Sequence, residues 1–174
     1  FDTFCKVVVA YARSKRPGLL VGVPATLYGM TGSAKPQMQK INGYTNIVLV
    51  TYYPLKDDFS VKEPSVVSPE IDTLMAAYPS KPVSIVETVY PSASSLGASE
   101  EKQSEFIRQV FRAWDEHASQ VRSVSFSWLT DLPASAVDAH SKYYSLKDQK
   151  FKEYLRSLGL RTFSGAGRDK SAFA

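Results

Sequence analysis

The chain lacks most of the residue sets on which metal, redox and nucleotide chemistry is built. Its 174 residues contain one cysteine, Cys5, and two histidines, His117 and His140. A lone cysteine excludes an intrachain disulfide. Two histidines without ligand spacing exclude a His/Cys metal cluster, so neither a metal nor another cofactor is expected. The one glycine-rich stretch, Ser164-Gly165-Ala166-Gly167, is too short and too late to cradle a phosphate. No run approaches the roughly 20 apolar residues of a membrane span, because the longest mostly apolar stretch, 19–30, is broken by Gly22 and Pro24. No signal peptide is visible. The chain nevertheless opens on Phe1 rather than methionine, already in a helical pattern. A fragment or a trimmed chain is therefore expected, and the compartment stays open.

What is present fits one soluble domain with a sizeable core. Hydrophobic residues make up 44% and charged residues 22%, both ordinary for a globular protein. The net charge of +4 is scattered apart from a loose cluster at Arg161, Arg168 and Lys170. No basic–aromatic ladder accompanies it, so neither nucleic acid nor a membrane is expected as a partner. Aromatic residues, 12% of the chain, suit a core and equally suit a site with flat apolar walls.

Strand and helix signals alternate. Asp2 caps an expected helix with Phe4, Cys5, Val8, Tyr11 and Ala12 on its apolar face, where Cys5 is a small core residue. The runs 19–23, 46–53, 83–87 and 121–128 read as strands. Between them lie a short helix around 36–41, one opened by Ser68-Pro69-Glu70, and one opened by Ser99-Glu100-Glu101 with Phe106, Ile107, Val110, Phe111 and Trp114 buried. A last helix, 146–158, ends at Gly159. Strand starts near 19, 46, 82 and 121 are roughly 27 to 39 residues apart, the spacing of βα units with a parallel sheet. The expected fold class is α/β, as an open sheet or as about four units of a (β/α)8 barrel, whose full length is about 250 residues.

Chemistry in such sheets gathers at the carboxyl ends of the strands. Those ends carry Tyr52 and Tyr53, then Glu87 and Tyr90, then Trp128 and Asp131. Glu87 closes the apolar run Val83-Ser84-Ile85-Val86, where a carboxylate is costly to bury unless paired. A carboxylate with tyrosines and a tryptophan suits a sugar: rings stack on the apolar face of a pyranose, a phenol orients the carboxylate, and the carboxylate meets an oxocarbenium-like centre. Each residue also has a structural reading, as hydrogen-bond acceptor, strand exit or core ring. His117 near a helix end suits the helix dipole, and His140 falls in a polar loop.

Three phrases carry a resemblance. Val-Thr-Tyr-Tyr-Pro (50–54), Lys-Pro-Val-Ser-Ile-Val-Glu-Thr-Val-Tyr-Pro (81–91) and Ser-Phe-Ser-Trp-Leu-Thr-Asp (125–131) resemble strands six, seven and eight of clan A glycoside hydrolases. The Glu-Thr-x-Tyr-Pro phrase is closest to the endo-β-1,4-galactanases of glycoside hydrolase family 53. The closing 158–174 segment resembles the tail of many such barrels. The resemblance implies a partial TIM barrel, about four carboxyl-terminal βα units forming a single domain over 1–174. It implies a retaining mechanism with Glu87 as nucleophile, Tyr53 or Tyr52 orienting it, and Trp128 flooring a subsite. Tyr90 and Asp131 join them as substrate-binding residues. The clan's acid/base glutamate belongs to an Asn-Glu pair after strand four, and this chain contains no such pair. A missing amino-terminal half-barrel is therefore expected as the partner, a carbohydrate as the substrate, and an isolated fragment without activity. If a polysaccharide is degraded, the location implied is secreted, periplasmic or cell-envelope. Two rival readings are a non-catalytic carbohydrate-binding barrel and an unrelated open α/β ligand-binding domain.

Overall fold

The computed structural model describes residues 1–163 and 167–173; the Ser164–Ala166 part of the glycine-rich stretch lies outside them. Elements follow in the order α1 (Asp2–Lys15), β1 (Pro24–Thr26), α2 (Leu27–Thr31), α3 (Lys35–Asn42), β2 (Val48–Tyr52), α4 (Val67–Ala77), β3 (Val83–Thr88), α5 (Glu100–Glu116), β4 (Val121–Phe126), α6 (Ala134–Tyr143) and α7 (Gln149–Arg156). The strands form one sheet in the order β1-β2-β3-β4, with β1–β2 and β2–β3 parallel. The chain is α/β with a four-stranded parallel sheet, as in part of a (β/α)8 barrel. It divides into two compact units. The first is Phe1–Tyr52, Pro69–Thr88 and Trp114–Ser125; the second is Tyr53–Ser68, Val89–Ala113 and Phe126–Ala174.

The first unit holds the sheet. Side chains alternate across β2, so Val48, Val50 and Tyr52 are fully buried while Leu49 and Thr51 are half-buried on the opposite face. Leu27, Met30, Ile41, Ile71 and Leu74 from the helices are buried as well. Burying one such side chain contributes about 1.5–3 kcal/mol. Lys81, just before β3, donates to the carbonyls of Asn42 and of Thr45 (2.6 Å), so its ammonium satisfies carbonyls at the end of α3. Burial lowers its pKa.

Three elements of the first unit differ from the sequence expectation. The first strand is Pro24–Thr26 rather than 19–23, because the chain at Gly22 passes within contact of β2: a Cβ there would lie 2.5 Å from the Leu49 side chain and 2.8 Å from the Ile47 carbonyl. Proline is tolerated at the start of such an edge strand, where its missing N–H is not needed. On α1 the buried pair is Cys5 and Val9, whereas Phe4, Val8 and Tyr11 are exposed. Asp2 is not the cap of α1 but lies in its first turn, paired with Lys40 at 3.0 Å. The helix read from Ser68 begins at Val67 after a 3-10 turn, Pro64–Val66.

The second unit packs around Val89, Leu96, Val137, Phe151, Tyr154, Leu155 and Leu158. Ser99 caps α5 through its hydroxyl to Lys102 N (3.1 Å), and Asp148 caps α7 through two backbone N–H groups. Along α5 the buried residues are Gln103, Phe106, Val110 and Ala113, while Phe111 is exposed. Helix α6 falls where the sequence suggested a loop, so His140 is helical. The last helix is shorter than expected, Gln149–Arg156, because Asp148 caps it.

Candidate active site

Glu87 lies at the carboxyl end of β3, and a register shift decides where its side chain points. Val48 pairs with Val83, Leu49 with Ser84 and Val50 with Ile85; then Thr51 pairs with Glu87 and Tyr52 with Thr88. Val86 is therefore an extra residue, a β-bulge. Partners in a parallel ladder face the same way. Strict alternation from Val83 and Ile85 would put Glu87 on their buried face. The bulge puts it on the face of Leu49, Thr51 and Ser84 instead. Bulges are rare in parallel pairs and are over-represented beside active sites, where they re-aim a side chain. Ser123 on β4 donates to Ser84 at 3.0 Å on the same face. Glu87 is half-buried, on the face that also carries the hydroxyls of Thr51 and Ser84.

The opposite face at the same end of the sheet carries a polar cluster whose members the sequence did not bring together. Tyr52 is fully buried, and its hydroxyl donates to Glu70 Oε2 at 2.8 Å; Tyr28 donates to the same oxygen at 3.0 Å. Tyr52 therefore ties β2 to α4 instead of presenting its hydroxyl to a substrate. Its place beside Val48 and Val50 gave the signal: every second residue of a strand shares a face. Tyr52→Phe removes one donor from a part-buried carboxylate, and a urea melt is expected to show a loss of about 1–3 kcal/mol. His117 pairs with Asp72 at 2.7 Å, a contact between side chains rather than with a helix dipole.

The remaining residues picked from the sequence lie in the second unit. Tyr53 and Trp128 both pack, partly buried, against its hydrophobic cluster. Tyr90 does not reach a ligand surface: it is 2% exposed, stacks on Phe106 at 5.0 Å, and donates to the Lys62 carbonyl at 2.8 Å. Burial pushes its hydroxyl pKa up.

Asp131 is also committed to the fold. Its Oδ1 accepts from Lys170 Nζ at 2.6 Å and from Gly159 N at 2.9 Å. Lys170, only 3% exposed, reaches Ser92 Oγ at 3.0 Å as well. Burial pushes the Asp131 carboxyl up in pKa, and Lys170 and Gly159 pull it back. The sequence showed Arg161, Arg168 and Lys170 only as a loose basic cluster; each has an acidic partner, Asp169, Glu100 and Asp131 respectively.

Trp128 follows β4 with φ +70, a left-handed conformation that a bulky residue rarely adopts. The carboxyl-terminal segment holds it there. Leu160 N donates to Trp128 O at 3.3 Å, Arg161 N to Leu129 O at 3.0 Å, and Arg161 O accepts from Asp131 N at 2.9 Å. Gly159 is required at this crossing, since a Cβ would lie 2.1 Å from Asp131 N. Among the described residues, no group of histidine, cysteine and carboxylates could hold a metal, and no helix is long and apolar enough to cross a membrane.

This architecture is similar to part of the (β/α)8 barrels of several solved glycoside-active enzymes. Over its full length the chain is similar to a β-1,3-glucanosyltransferase of Rhizomucor miehei, solved as an active-site mutant with laminaritriose (TM-score 0.65, 14% identity, 57% of that chain covered). A glycoside hydrolase family 17 β-1,3-glucanosyltransferase from Rhizomucor miehei matches at TM-score 0.63 and 14% identity, over all of this chain and 57% of that one. The chain is also similar to an FMN-binding β-glucuronidase from Facaelibacterium prausnitzii (TM-score 0.68, 12% identity, 99% of this chain and 25% of that one). A Ruminococcus gnavus β-glucuronidase in complex with D-glucuronic acid matches at TM-score 0.60 and 15% identity, over 96% of this chain and 27% of that one. The chain thus spans a little over half the length of the first two of these and about a quarter of the others. At such identities the likeness establishes the fold alone, and the closer resemblance to family 53 galactanases draws no support from it. No family model and no curated protein matches the sequence.

Proposed function

We propose that the chain is the carboxyl-terminal half of the barrel of a retaining glycoside hydrolase acting on a β-linked poly- or oligosaccharide, with Glu87 as its nucleophile. The bulge at Val86 carries the reading, because it turns this carboxylate from the buried face of β3 to the face of Thr51 and Ser84. Glu87 attacks the anomeric carbon and the glycosidic bond to the leaving oxygen breaks. A glycosyl ester forms, and water then hydrolyses it. The acid/base carboxyl that protonates the leaving oxygen comes from a segment outside these 174 residues, which holds the other half of the barrel. The barrel-type neighbours, each longer than this chain, support the division. Laminaritriose, the ligand of the Rhizomucor miehei enzyme, is the first substrate to try; β-1,4-galactan, suggested by the motif alone, is the second.

A 2-deoxy-2-fluoro glycoside with a dinitrophenolate leaving group tests this directly. That leaving group departs without protonation, so in the complete barrel Glu87 is expected to be labelled even when the acid/base residue is replaced. Peptide mapping reads the adduct. A label on any other carboxylate, or none with gluco- and galacto-configured reagents alike, overturns the assignment.

A further inference from the structure

We propose that Trp128 and His140 form one saccharide subsite, in which the indole packs on the apolar face of a pyranose while His140 Nε2 accepts a hydrogen bond from one of its hydroxyls. This rests on the glycan reading above and adds to it a residue that no motif marks.

Both residues belong to the second unit. The indole is half-buried, resting on the hydrophobic cluster, and its backbone is held at φ +70, a conformation that a bulky residue rarely adopts. Hydrogen bonds from the 158–161 segment sustain that conformation, so the direction of the ring is imposed rather than averaged. The imidazole meets the indole edge to face, with centroids 6.0 Å apart and planes at 74°. It thus stands across the ring instead of stacking over it.

The tautomer follows from one contact. His140 Nδ1 lies 2.8 Å from the Ala136 carbonyl oxygen. A carbonyl can only accept, so Nδ1 carries the hydrogen, and Nε2 of the neutral ring is an acceptor. Among the described residues neither that nitrogen nor the Trp128 indole N–H has a protein partner. One apolar plane thus carries a free donor, with a free acceptor on a ring set across it. A purely apolar ligand would leave both nitrogens unpaired. A pyranose matches: its C–H face packs on the indole, and each hydroxyl can both donate and accept.

The test uses the whole chain with 5-fluorotryptophan incorporated, so that the two tryptophans give two fluorine NMR signals. Titration with laminaritriose is expected to shift the Trp128 signal and leave the Trp114 signal in place. His140→Phe keeps an aromatic edge and removes the acceptor; affinity should fall about 3- to 10-fold, the scale of one hydrogen bond. His140→Gln supplies an amide oxygen in its place and should stay within about 2- to 3-fold of the parent, a rescue that a merely structural histidine does not give. Equal affinity of His140→Phe and the parent overturns the pairing while leaving the glycan reading intact, and so does a His140→Gln variant as weak as His140→Phe. A parent whose Trp128 signal ignores laminaritriose and a galactan oligosaccharide alike overturns both.

Discussion

Lys170→Ala is expected to lower the stability of the chain by about 3–5 kcal/mol. The ammonium is 3% exposed and donates to Asp131 (2.6 Å), Ser92 (3.0 Å) and the Ser157 carbonyl (3.3 Å). Removing it leaves the Asp131 carboxylate, itself only 15% exposed, with the Gly159 N–H as its remaining recorded partner. An uncompensated buried charge costs far more than the net worth of an intact pair, which is why breaking such a pair differs from replacing it. Lys170→Met should therefore be nearly as damaging as the alanine variant, whereas Lys170→Met combined with Asp131→Leu should regain most of the loss. For a chain of this size the single variants correspond to a drop of roughly 6–20 °C in melting temperature. Urea melts of the three variants check the prediction. Single variants as stable as the parent would show that the pair is solvated and contributes nothing.

The same contact explains why Asp131 read as a site residue. In the sequence it follows Trp128 by three positions at the end of a strand, where a carboxylate faces either a ligand or the fold. What decided between them was Lys170, 39 residues away and inconspicuous within a basic tail. Long-range partners of this kind leave no local periodicity. Tyr90 and Tyr52 teach the complementary point. Both were visible as strand-end tyrosines, but parity along the strand, not nearness to its end, governs which face a side chain takes. Tyr52 shares the buried face of Val48 and Val50, so its hydroxyl meets Glu70.

Strands β2 and β3 were legible because their apolar runs are continuous and are punctuated by Pro54 after the first and by Pro82 and Pro91 around the second, as expected of strands covered on both faces. Helix α6 was not. Its sequence, from Ala134 to Tyr143, has only Val137 and Ser141 buried, too few apolar contacts to give a helical stripe. Its stability comes from packing on α7, where Lys152 also reaches Asp138 at 2.9 Å. The shifted first strand has the same origin. Residues 19–23 are apolar enough for a strand, but the close approach of Gly22 to Leu49 lies in the tertiary structure alone.

Glu87→Gln is expected to abolish covalent labelling and, in the complete enzyme, to lower turnover by about 10^4-fold or more, the scale on which single members of a catalytic set fail. That corresponds to about 5.4 kcal/mol of lost transition-state stabilisation. The substitution keeps the shape of the side chain and removes only the charge and the nucleophilic oxygen, so the melting temperature should hold. A structural role predicts the reverse pattern: a carboxylate kept as a hydrogen-bond acceptor would lower stability when replaced and leave turnover alone. Glu87→Ala separates the two further. It opens room beside the anomeric carbon, and added azide can then attack an activated aryl glycoside there. The bond to the phenolate breaks, and a glycosyl azide forms with configuration opposite to that of the substrate. Rescue with that stereochemistry identifies the missing group as the nucleophile, because an absent general base would give azide products without the inversion. The sequence marked Glu87 as a carboxylate where a buried strand had no use for one. The bulge at Val86 supplies the reason it can stand there, by turning it away from Val83 and Ile85 toward Thr51 and Ser84. A variant pair in which stability moves and chemistry does not would return Glu87 to the fold.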